Sequence, residues 1–198
     1  MSRFTAASVP DQSGRTAIVT GANSGIGYEA SLVLAGKGAR ARLGCRSHEK
    51  GSAACDRILA QHPDADVALV PLDLGSLESI RKAADQLLTE ARLDLLINNA
   101  GIMIPPRQET TDGFESQFGV NHLAHFALTG RLLPKLRETP GARVVAVSSN
   151  AHKQGKIAFD DINAEKRCSR MGRYGISKLA NLLFSYKFQH RFEAVNPT

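Results

Sequence analysis

Short, continuously apolar runs alternate along this chain with longer segments of helical periodicity. Apolar runs of this kind are typical of strands in a parallel sheet that is covered by helices on both faces. Strands are predicted at 17–19, 39–45, 67–72, 95–97 and 144–147. Helices are predicted at 25–34, 49–60, 76–91, 121–136 and 174–192. Right-handed crossovers between them predict an α/β fold, a doubly wound parallel sheet of the Rossmann type.

Two details of this pattern are unusual. Arg40 and Arg42 lie inside the second predicted strand and make it polar for a buried position. Pro134 lies inside the fourth predicted helix, which it should bend or shorten because proline lacks the backbone N–H.

The size and composition fit one globular domain. The chain has 198 residues, of which 42% are hydrophobic and 22% charged, as in ordinary soluble proteins. We predict a flexible tail over 1–13 and a single domain over 14–198. The tail lacks the apolar stretch of a secretory signal. No apolar run approaches the roughly 18 residues of a membrane helix, so no membrane span is predicted.

The cysteines and histidines predict no metal. Cys45, Cys55 and Cys168 are an odd number in no C-x-x-C spacing, which argues against both a disulfide framework and a zinc site. His122 and His125 are three residues apart, but no acidic or cysteine partner follows at a ligating spacing. Free thiols fit a reducing compartment, and we predict a cytoplasmic location.

The net charge is positive and leaves two interpretations open. Lys and Arg number 25 against 19 Asp and Glu, which gives +6. This balance fits a merely basic surface or a phosphorylated ligand. The charges are spread along the chain with few aromatic residues beside them, so no nucleic-acid partner is predicted.

A glycine-rich turn lies where the first predicted strand ends and the first helix begins. Its spacing, G-x-x-x-G-x-G, lets the backbone turn tightly and approach a pyrophosphate at the helix N-terminus. Glycines are also needed in turns that bind nothing, and the strand–turn–helix context favours the binding interpretation. The predicted cofactor-binding residues of this turn are Gly21, Asn23, Ser24, Gly25, Ile26 and Gly27.

Arg46 follows the second strand, where the dinucleotide fold places either a carboxylate for a ribose 2′-hydroxyl or an arginine for a 2′-phosphate. A guanidinium pairs well with a phosphate, although a solvated surface arginine is the plainer alternative. Arg46 therefore predicts NADP(H) as the cofactor rather than NAD(H).

Polar residues follow the third and fourth strands, at the sheet edge where ligands bind. Asp73 could accept a hydrogen bond from an adenine amino group, and Asn99 could fix neighbouring backbone. Both residue types also form Asx turns at strand ends, and the sequence leaves the two interpretations equally open. The predicted cofactor-binding residues here are Asp73, Leu74, Asn99, Ala100 and Gly101.

Tyr174 has a lysine, Lys178, four residues later, so both side chains lie on one helical face. A tyrosine hydroxyl, with a reference pKa near 10, is a poor base at neutral pH, but a nearby ammonium favours the phenolate. Ser148 and Ser149 end the fifth strand at the same sheet edge. An exposed surface pair and two strand-end caps are the plainer alternatives.

In this order, Thr20 to Gly27, Asn98 to Gly101, Ser149 and Tyr174-x-x-x-Lys178 resemble the short-chain dehydrogenase/reductase family. The resemblance implies that Tyr174 exchanges the substrate proton and that Lys178 supports it and binds the nicotinamide ribose, so both also contact cofactor. It implies that Ser149 polarises the carbonyl. Through Val120-Asn121-His122-Leu123, it implies that Asn121 supports a proton relay.

The resemblance extends to the retinol-dehydrogenase-like branch, in which the second serine of a Val-Ser-Ser run is the active one. It implies an NADP(H)-dependent oxidoreductase that interconverts an alcohol and a lipophilic, retinol-like carbonyl. It also implies a homodimer or homotetramer formed through the last two long helices. A non-enzymatic NADP(H)-binding protein is the alternative function.

The family continues beyond the Tyr/Lys helix with a sixth strand, a Pro-Gly turn, a substrate-covering helical segment and a seventh strand. This chain ends at Asn196-Pro197-Thr198. The resemblance therefore predicts a fold that is truncated after the Tyr/Lys helix, and an inactive product is a further alternative.

Overall fold

A five-stranded parallel sheet forms the centre of the molecule. The computed structural model describes residues 4–166 and 169–195, so Cys168 and the last three residues lie outside it. The strands are β1 Thr16–Thr20, β2 Arg40–Cys45, β3 Val67–Pro71, β4 Leu95–Asn98 and β5 Arg143–Ala146. Their order across the sheet is β3-β2-β1-β4-β5, and every neighbouring pair is parallel. The predicted doubly wound parallel sheet is confirmed.

The strand order reverses at β1, which lies between β2 and β4. Val19 of β1 is paired in register with Leu43 on one side and Ile97 on the other. Connections leave the carboxyl ends of β1 and β4 in opposite directions, which opens a crevice between them. Most of the cofactor-binding residues predicted from the sequence lie around this crevice.

In the described part of the chain, five long helices flank the sheet. They are α1 Gly25–Gly36, α2 His48–Gln61, α3 Leu77–Leu87, α4, and α5 Arg170–Val195. The α4 helix is continuous over the segments Ser116–Phe118, Gly119–Leu123 and Ala124–Glu138. Its middle segment is a π-helical turn, which is wider than an α-helical one.

Pro134 does not shorten its helix, because α4 continues to Glu138. The residues on either side of the proline explain this. Leu128, Leu132 and Leu136 are at most 1% exposed, and each buried leucine contributes about 2 kcal/mol. Together they outweigh the roughly 3 kcal/mol cost of an interior proline.

Three predicted helix boundaries differ from the structure by four residues or more. α4 begins at Ser116 rather than at residue 121. α3 ends at Leu87 rather than at residue 91, because the chain turns there to bury Leu93. α5 begins at Arg170 rather than at Tyr174. Tyr174 therefore lies in the second turn of a formed helix instead of at a frayed end.

Each face of the sheet has its own apolar core. One packs α1 and α2 against the sheet, and the other packs α3 and α4 against the opposite face. Within the described residues, no helix is long and apolar enough to cross a membrane.

The polar second strand is explained by ion pairs. The side chain of Arg42 is 12% exposed, and its Nε donates to Glu90 Oε1 at 2.5 Å while its Nη1 donates to Asp66 Oδ1 at 2.6 Å. Arg40 Nε lies 3.4 Å from Asp66 Oδ2. Carboxylates from two loops thus compensate the charges on β2.

The segment before β1 contacts the rest of the protein through its C-terminal end. Ala6–Ser8 form one 3₁₀ turn, and the backbone N–H of Gln12 donates to the carbonyl of Lys37 at 2.8 Å. The side chain of Gln12 is buried. The flexible tail over 1–13 and the domain over 14–198 remain predictions.

Candidate active site

A groove of about 710 Å³ lies along the carboxyl ends of the strands. It is lined by side chains and backbone from four of the strand-end segments singled out in the sequence, those after β1, β2, β3 and β4. The predicted cofactor residues among its lining are Gly21, Asn23, Ser24, Ile26, Arg46, Asp73, Leu74, Asn99, Ala100 and Gly101. Gly25, Gly27, Tyr174 and Lys178 are not part of this lining.

The glycine-rich turn is shaped by close backbone approach. Gly21 and Gly25 have φ values of +67° and +56°, a region that favours glycine. A Cβ on Gly27 would lie 2.5 Å from the carbonyl oxygen of Gly21 and 2.5 Å from Nδ2 of Asn99. Gly27 thus has no space for a side chain, although it lies beneath the groove rather than in it.

The N-terminus of α1 opens onto the groove through Ser24. Ser24 is the N-cap residue, yet its side chain forms no capping hydrogen bond. The first N–H groups of α1 therefore lack the partner that an N-cap serine usually supplies. Together with the helix dipole, they make this end of the groove suitable for an anion.

Arg46 and Lys50 add positive charge at the far end of the groove, beside the start of α2. Arg46 forms no salt bridge with any residue of the described chain. Ser47 Oγ caps α2 by accepting from the N–H of Lys50 at 3.3 Å. Sequence reasoning missed Lys50, because only the fold brings it to the groove.

Asp73 forms the Asx turn that the sequence left open, since its Oδ1 accepts from the N–H of Gly75 at 2.8 Å. Asp73 and Leu74 both line the groove. Turn formation and a position in the groove are therefore compatible at this strand end.

Asn99 and Thr20 join the ends of β4 and β1. Asn99 Nδ2 donates to the carbonyl of Thr20 at 2.9 Å, and Thr20 Oγ1 accepts from the N–H groups of Asn99 and Ala100, both at 3.0 Å. These hydrogen bonds join the carboxyl ends of β1 and β4, and the joined segment forms the floor of the groove. Thr20 was part of the motif but was not singled out for this role.

Lys178 is held at the sheet edge beside Tyr174. Its Nζ donates to the carbonyl of Val147 at 3.1 Å and lies 5.6 Å from the centroid of the Tyr174 ring. Only 4% of Lys178 is exposed, and burial lowers the pKa of its ammonium below the usual value. Tyr174 itself is half-buried.

The two serines after β5 differ in their partners. Ser148 Oγ donates to the carbonyl of Lys178 at 2.8 Å, so its hydrogen is committed. Ser149 Oγ accepts from the N–H of Ala151 at 3.3 Å, as the cap of the 3₁₀ turn Asn150–Gln154. Ser149 therefore forms the strand-end cap that the sequence offered as an alternative. Because its oxygen accepts in this cap, its hydroxyl hydrogen can still donate.

A contact between two glycines presses the segment after Ser149 against α5. A Cβ on Gly155 would lie 2.6 Å from the carbonyl oxygen of Gly175, and one on Gly175 would lie 2.8 Å from that of Ala151. Gly175 directly follows Tyr174. The backbone therefore brings the Ser149 segment and the Tyr174 turn together.

Asn121 is fully buried in the π-helical turn of α4. Its Oδ1 accepts from the N–H of Ile102 at 2.8 Å, and its Nδ2 donates to the carbonyl of Ile102 at 2.9 Å and to Ser177 Oγ at 3.0 Å. Asn121 therefore links the loop after β4 to the helix that carries Tyr174.

A Cβ on Gly101 would lie 3.2 Å from Asn121 Oδ1 and 3.5 Å from Lys178 Nζ. Gly101 also lines the groove. The cofactor groove and two of the predicted catalytic residues, Asn121 and Lys178, thus meet at Gly101.

A buried ion pair at the start of α5 was missed. Arg173 Nε donates to Glu115 Oε2 at 3.0 Å, and the two side chains are 4% and 2% exposed. Arg173 immediately precedes Tyr174, and Glu115 caps α4 by accepting from the N–H groups of Gln117 and Phe118. The two residues are 58 positions apart, and no local pattern relates them.

A second, apolar groove of about 600 Å³ lies on the outer side of α4 and α5. Phe126 and Leu183 line it and are 57% and 52% exposed. Within the described residues, no group of three or more His, Cys, Asp or Glu side chains is placed to hold a metal.

Comparison with known families gives one match that covers most of the chain. Residues 15–190 match the family described as short chain dehydrogenase. Mouse retinol dehydrogenase 12 is 47% identical over 186 residues, and human retinol dehydrogenase 12 is 46% identical. Both alignments cover 93% of this chain but 59% of the relative, so the chain spans about three fifths of the curated relatives' length.

Solved structures show the same architecture. An uncharacterized protein from Mycobacterium paratuberculosis is 44% identical, with a TM-score of 0.87 over 97% of this chain and 68% of that one. The active-site complex of Pseudomonas aeruginosa RhlG with NADP is 29% identical, with a TM-score of 0.72 over 93% of this chain and 68% of that one.

Proposed function

The chain belongs to the short chain dehydrogenase family and resembles its retinol dehydrogenases, and on that premise we propose that it is an NADP(H)-dependent oxidoreductase. It interconverts an alcohol and a carbonyl compound. The observation that carries the proposal is the meeting of the cofactor groove with Asn121 and Lys178 at Gly101, next to the helix that bears Tyr174.

The groove has the features that a phosphorylated dinucleotide requires. The uncapped N-terminus of α1 and the turn at Gly21 would hold the pyrophosphate, and Gly27 packs beneath that turn. Arg46, together with Lys50, would hold the 2′-phosphate that distinguishes NADP(H) from NAD(H). When bound, the nicotinamide would give a hydride to the carbonyl carbon in reduction and accept one from the alcohol carbon in oxidation.

Tyr174 is proposed as the acid and base. Its hydroxyl gives a proton to the carbonyl oxygen in reduction, and its deprotonated oxygen takes one from the alcohol in oxidation. The ammonium of Lys178 lies 5.6 Å from the centroid of the Tyr174 ring and would bind the nicotinamide ribose beside it. Ser149 donates a hydrogen bond to the same oxygen, where negative charge develops.

The proposed substrates are lipophilic carbonyl compounds and alcohols, including retinoids. This class rests on the relatives named retinol dehydrogenase 12 at 46–47% identity.

NADPH consumption in the presence of a panel of aldehydes and ketones tests the function. We expect turnover by the protein and a loss of at least about 100-fold on Tyr174→Phe, because one general acid contributes about 10²–10⁴-fold. NADPH binding should persist in that variant. Tyr186→Phe is the matched control, since this tyrosine of the same helix is 75% exposed.

Two outcomes contradict the proposal. Full activity of Tyr174→Phe would overturn the mechanism. NADPH binding without turnover of any substrate would instead support a non-enzymatic NADP(H)-binding protein.

Self-association and location complete the proposal. The exposed apolar groove on α4 and α5 supports a homodimer or homotetramer, and analytical ultracentrifugation measures the mass. The free thiols of Cys45 and Cys55 support a cytoplasmic location, which cell fractionation tests.

A further inference from the structure

We infer that His125 is a positioning residue that fixes the Asn121 end of the proposed active site to the floor of the cofactor groove. His125 lies on α4 and is 3% exposed. It contacts one residue on each side of the site. Its role in turnover rests on the oxidoreductase function proposed above, whereas its hydrogen-bonding state does not.

The imidazole bridges Thr20 and Asn121. Its Nε2 lies 2.9 Å from Thr20 Oγ1, at the end of β1. Its Nδ1 lies 3.0 Å from the carbonyl oxygen of Asn121, in the π-helical turn. Thr20 and Asn121 are 101 residues apart in sequence, and this one side chain connects them.

The hydrogen bonds around Thr20 determine which ring nitrogen carries the hydrogen. Thr20 Oγ1 already accepts from the backbone N–H groups of Asn99 and Ala100. Its own hydrogen is therefore the one left to give, and Nε2 of His125 at 2.9 Å is nearer than the carbonyl of Ile97 at 3.5 Å. Nε2 accepts, so Nδ1 carries the hydrogen and donates to Asn121.

The environment keeps this imidazole neutral. Burial lowers the pKa of His125 to about 4, well below the usual value for histidine. At neutral pH the ring therefore has one donor and one acceptor, which match its two partners. A protonated ring would place a second donor against the Thr20 hydroxyl and break the pattern.

The bridge matters because both of its ends hold other parts of the site. Thr20 orders the backbone of Asn99 and Ala100 under the cofactor groove. Asn121 holds Ile102 and Ser177 with its side chain. A substitution of His125 should therefore affect cofactor binding through Thr20 and proton transfer through Asn121.

The first experiment requires no turnover. Long-range ¹H–¹⁵N NMR of the histidine rings, assigned with His125→Gln, reports tautomer and protonation. We expect a neutral His125 with the hydrogen on Nδ1 from pH 8 down to about pH 5.5. The opposite tautomer, or a ring protonated in that range, would overturn the inference whether or not the protein is an oxidoreductase.

The second experiment distinguishes the loss of the contact with Thr20 from the loss of the contact with Asn121. Asn at position 125 can place an amide donor near the Asn121 carbonyl but is too short for Thr20, whereas Gln can reach Thr20. We expect His125→Asn to weaken NADPH binding about tenfold with kcat within about threefold, since one buried hydrogen bond contributes about that much. We expect His125→Gln to lower kcat about tenfold with the NADPH Kd within about threefold.

His190→Gln is the control, because this histidine of α5 is exposed. Parallel losses of kcat and NADPH affinity in both variants would indicate a merely structural role and overturn the inference, as would no loss in either. If the variants do not fold, as judged by circular dichroism, the tautomer measurement on the unsubstituted protein decides. Wild-type protein that neither binds nor consumes NADPH would count against the proposed function, not against the bridge.

Discussion

The turn after β1 and the start of α5 stand on opposite sides of one site and are built in opposite ways. The turn depends on the absence of side chains, since Gly27 has no room for a Cβ. The start of α5 depends on the presence of buried polar side chains, above all the Glu115–Arg173 pair. One region is therefore sensitive to added atoms and the other to lost charge or hydrogen bonds.

The largest expected effect comes from breaking the buried pair. Glu115→Gln leaves the guanidinium of Arg173 buried without a counter-charge, and we expect a loss of about 3–5 kcal/mol in the free energy of unfolding. Urea denaturation measures it. Adding Arg173→Met should restore much of that stability, because the charge is then removed together with its partner.

The exposed pair of Glu78 and Arg81 on α3 provides the comparison. Glu78→Gln should change stability little, because solvent screens that pair. Equal effects of Glu78→Gln and Glu115→Gln would contradict the distinction between the two regions.

Acid should weaken the connection between β1 and α4 through His125. Its pKa is about 4 in the folded protein and about 6.5 when unfolded, so the unfolded chain binds a proton first as the pH falls. Stability is thus complete above about pH 6.5 and declines towards pH 4, by about 3 kcal/mol for this residue. His125→Gln should flatten this decline in denaturation curves measured from pH 7 to 4, and an unchanged slope would contradict it.

Gly27→Ala tests the turn after β1, the region that depends on the absence of side chains. The added methyl meets backbone and the Asn99 amide at 2.5 Å, so we expect a loss of about 2–3 kcal/mol and weaker NADPH binding. Gly130→Ala is the matched control, because nothing lies within 4 Å of its Cβ position on α4. That change should stabilise the helix by up to about 1 kcal/mol. Similar results for both glycines in thermal denaturation would remove the steric argument.

The smallest expected effect sharpens the cofactor assignment. Arg46→Ala should weaken NADPH binding by about 1.5–3 kcal/mol and leave NADH binding nearly unchanged, because a charged hydrogen bond to the 2′-phosphate is lost. Fluorescence titration measures both. Arg131→Ala, an exposed change on α4 outside the groove, should alter neither. A parallel loss for both cofactors would contradict a 2′-phosphate role.

The two regions also differ in how much of them the sequence could predict, because one is a local pattern and the other depends on contacts between distant residues. The β1 turn, Arg46 and the Tyr174–Lys178 spacing are local patterns, and periodicity alone indicated the parallel sheet. Asn121 was reached only through a family resemblance. The contact of His125 with Thr20 and the Glu115–Arg173 pair could not be predicted, because each joins positions 58 or more apart that only the fold brings together.

The contact between Gly155 and Gly175 has a consequence for how such chains can vary. It sets the relative position of the Ser149 segment and the Tyr174 turn by direct backbone contact. The length of the connection between these segments is then a separate variable. Residues could be inserted after 155 and before α5 without moving the serine away from the tyrosine, so chain length can change there while the chemistry stays in place.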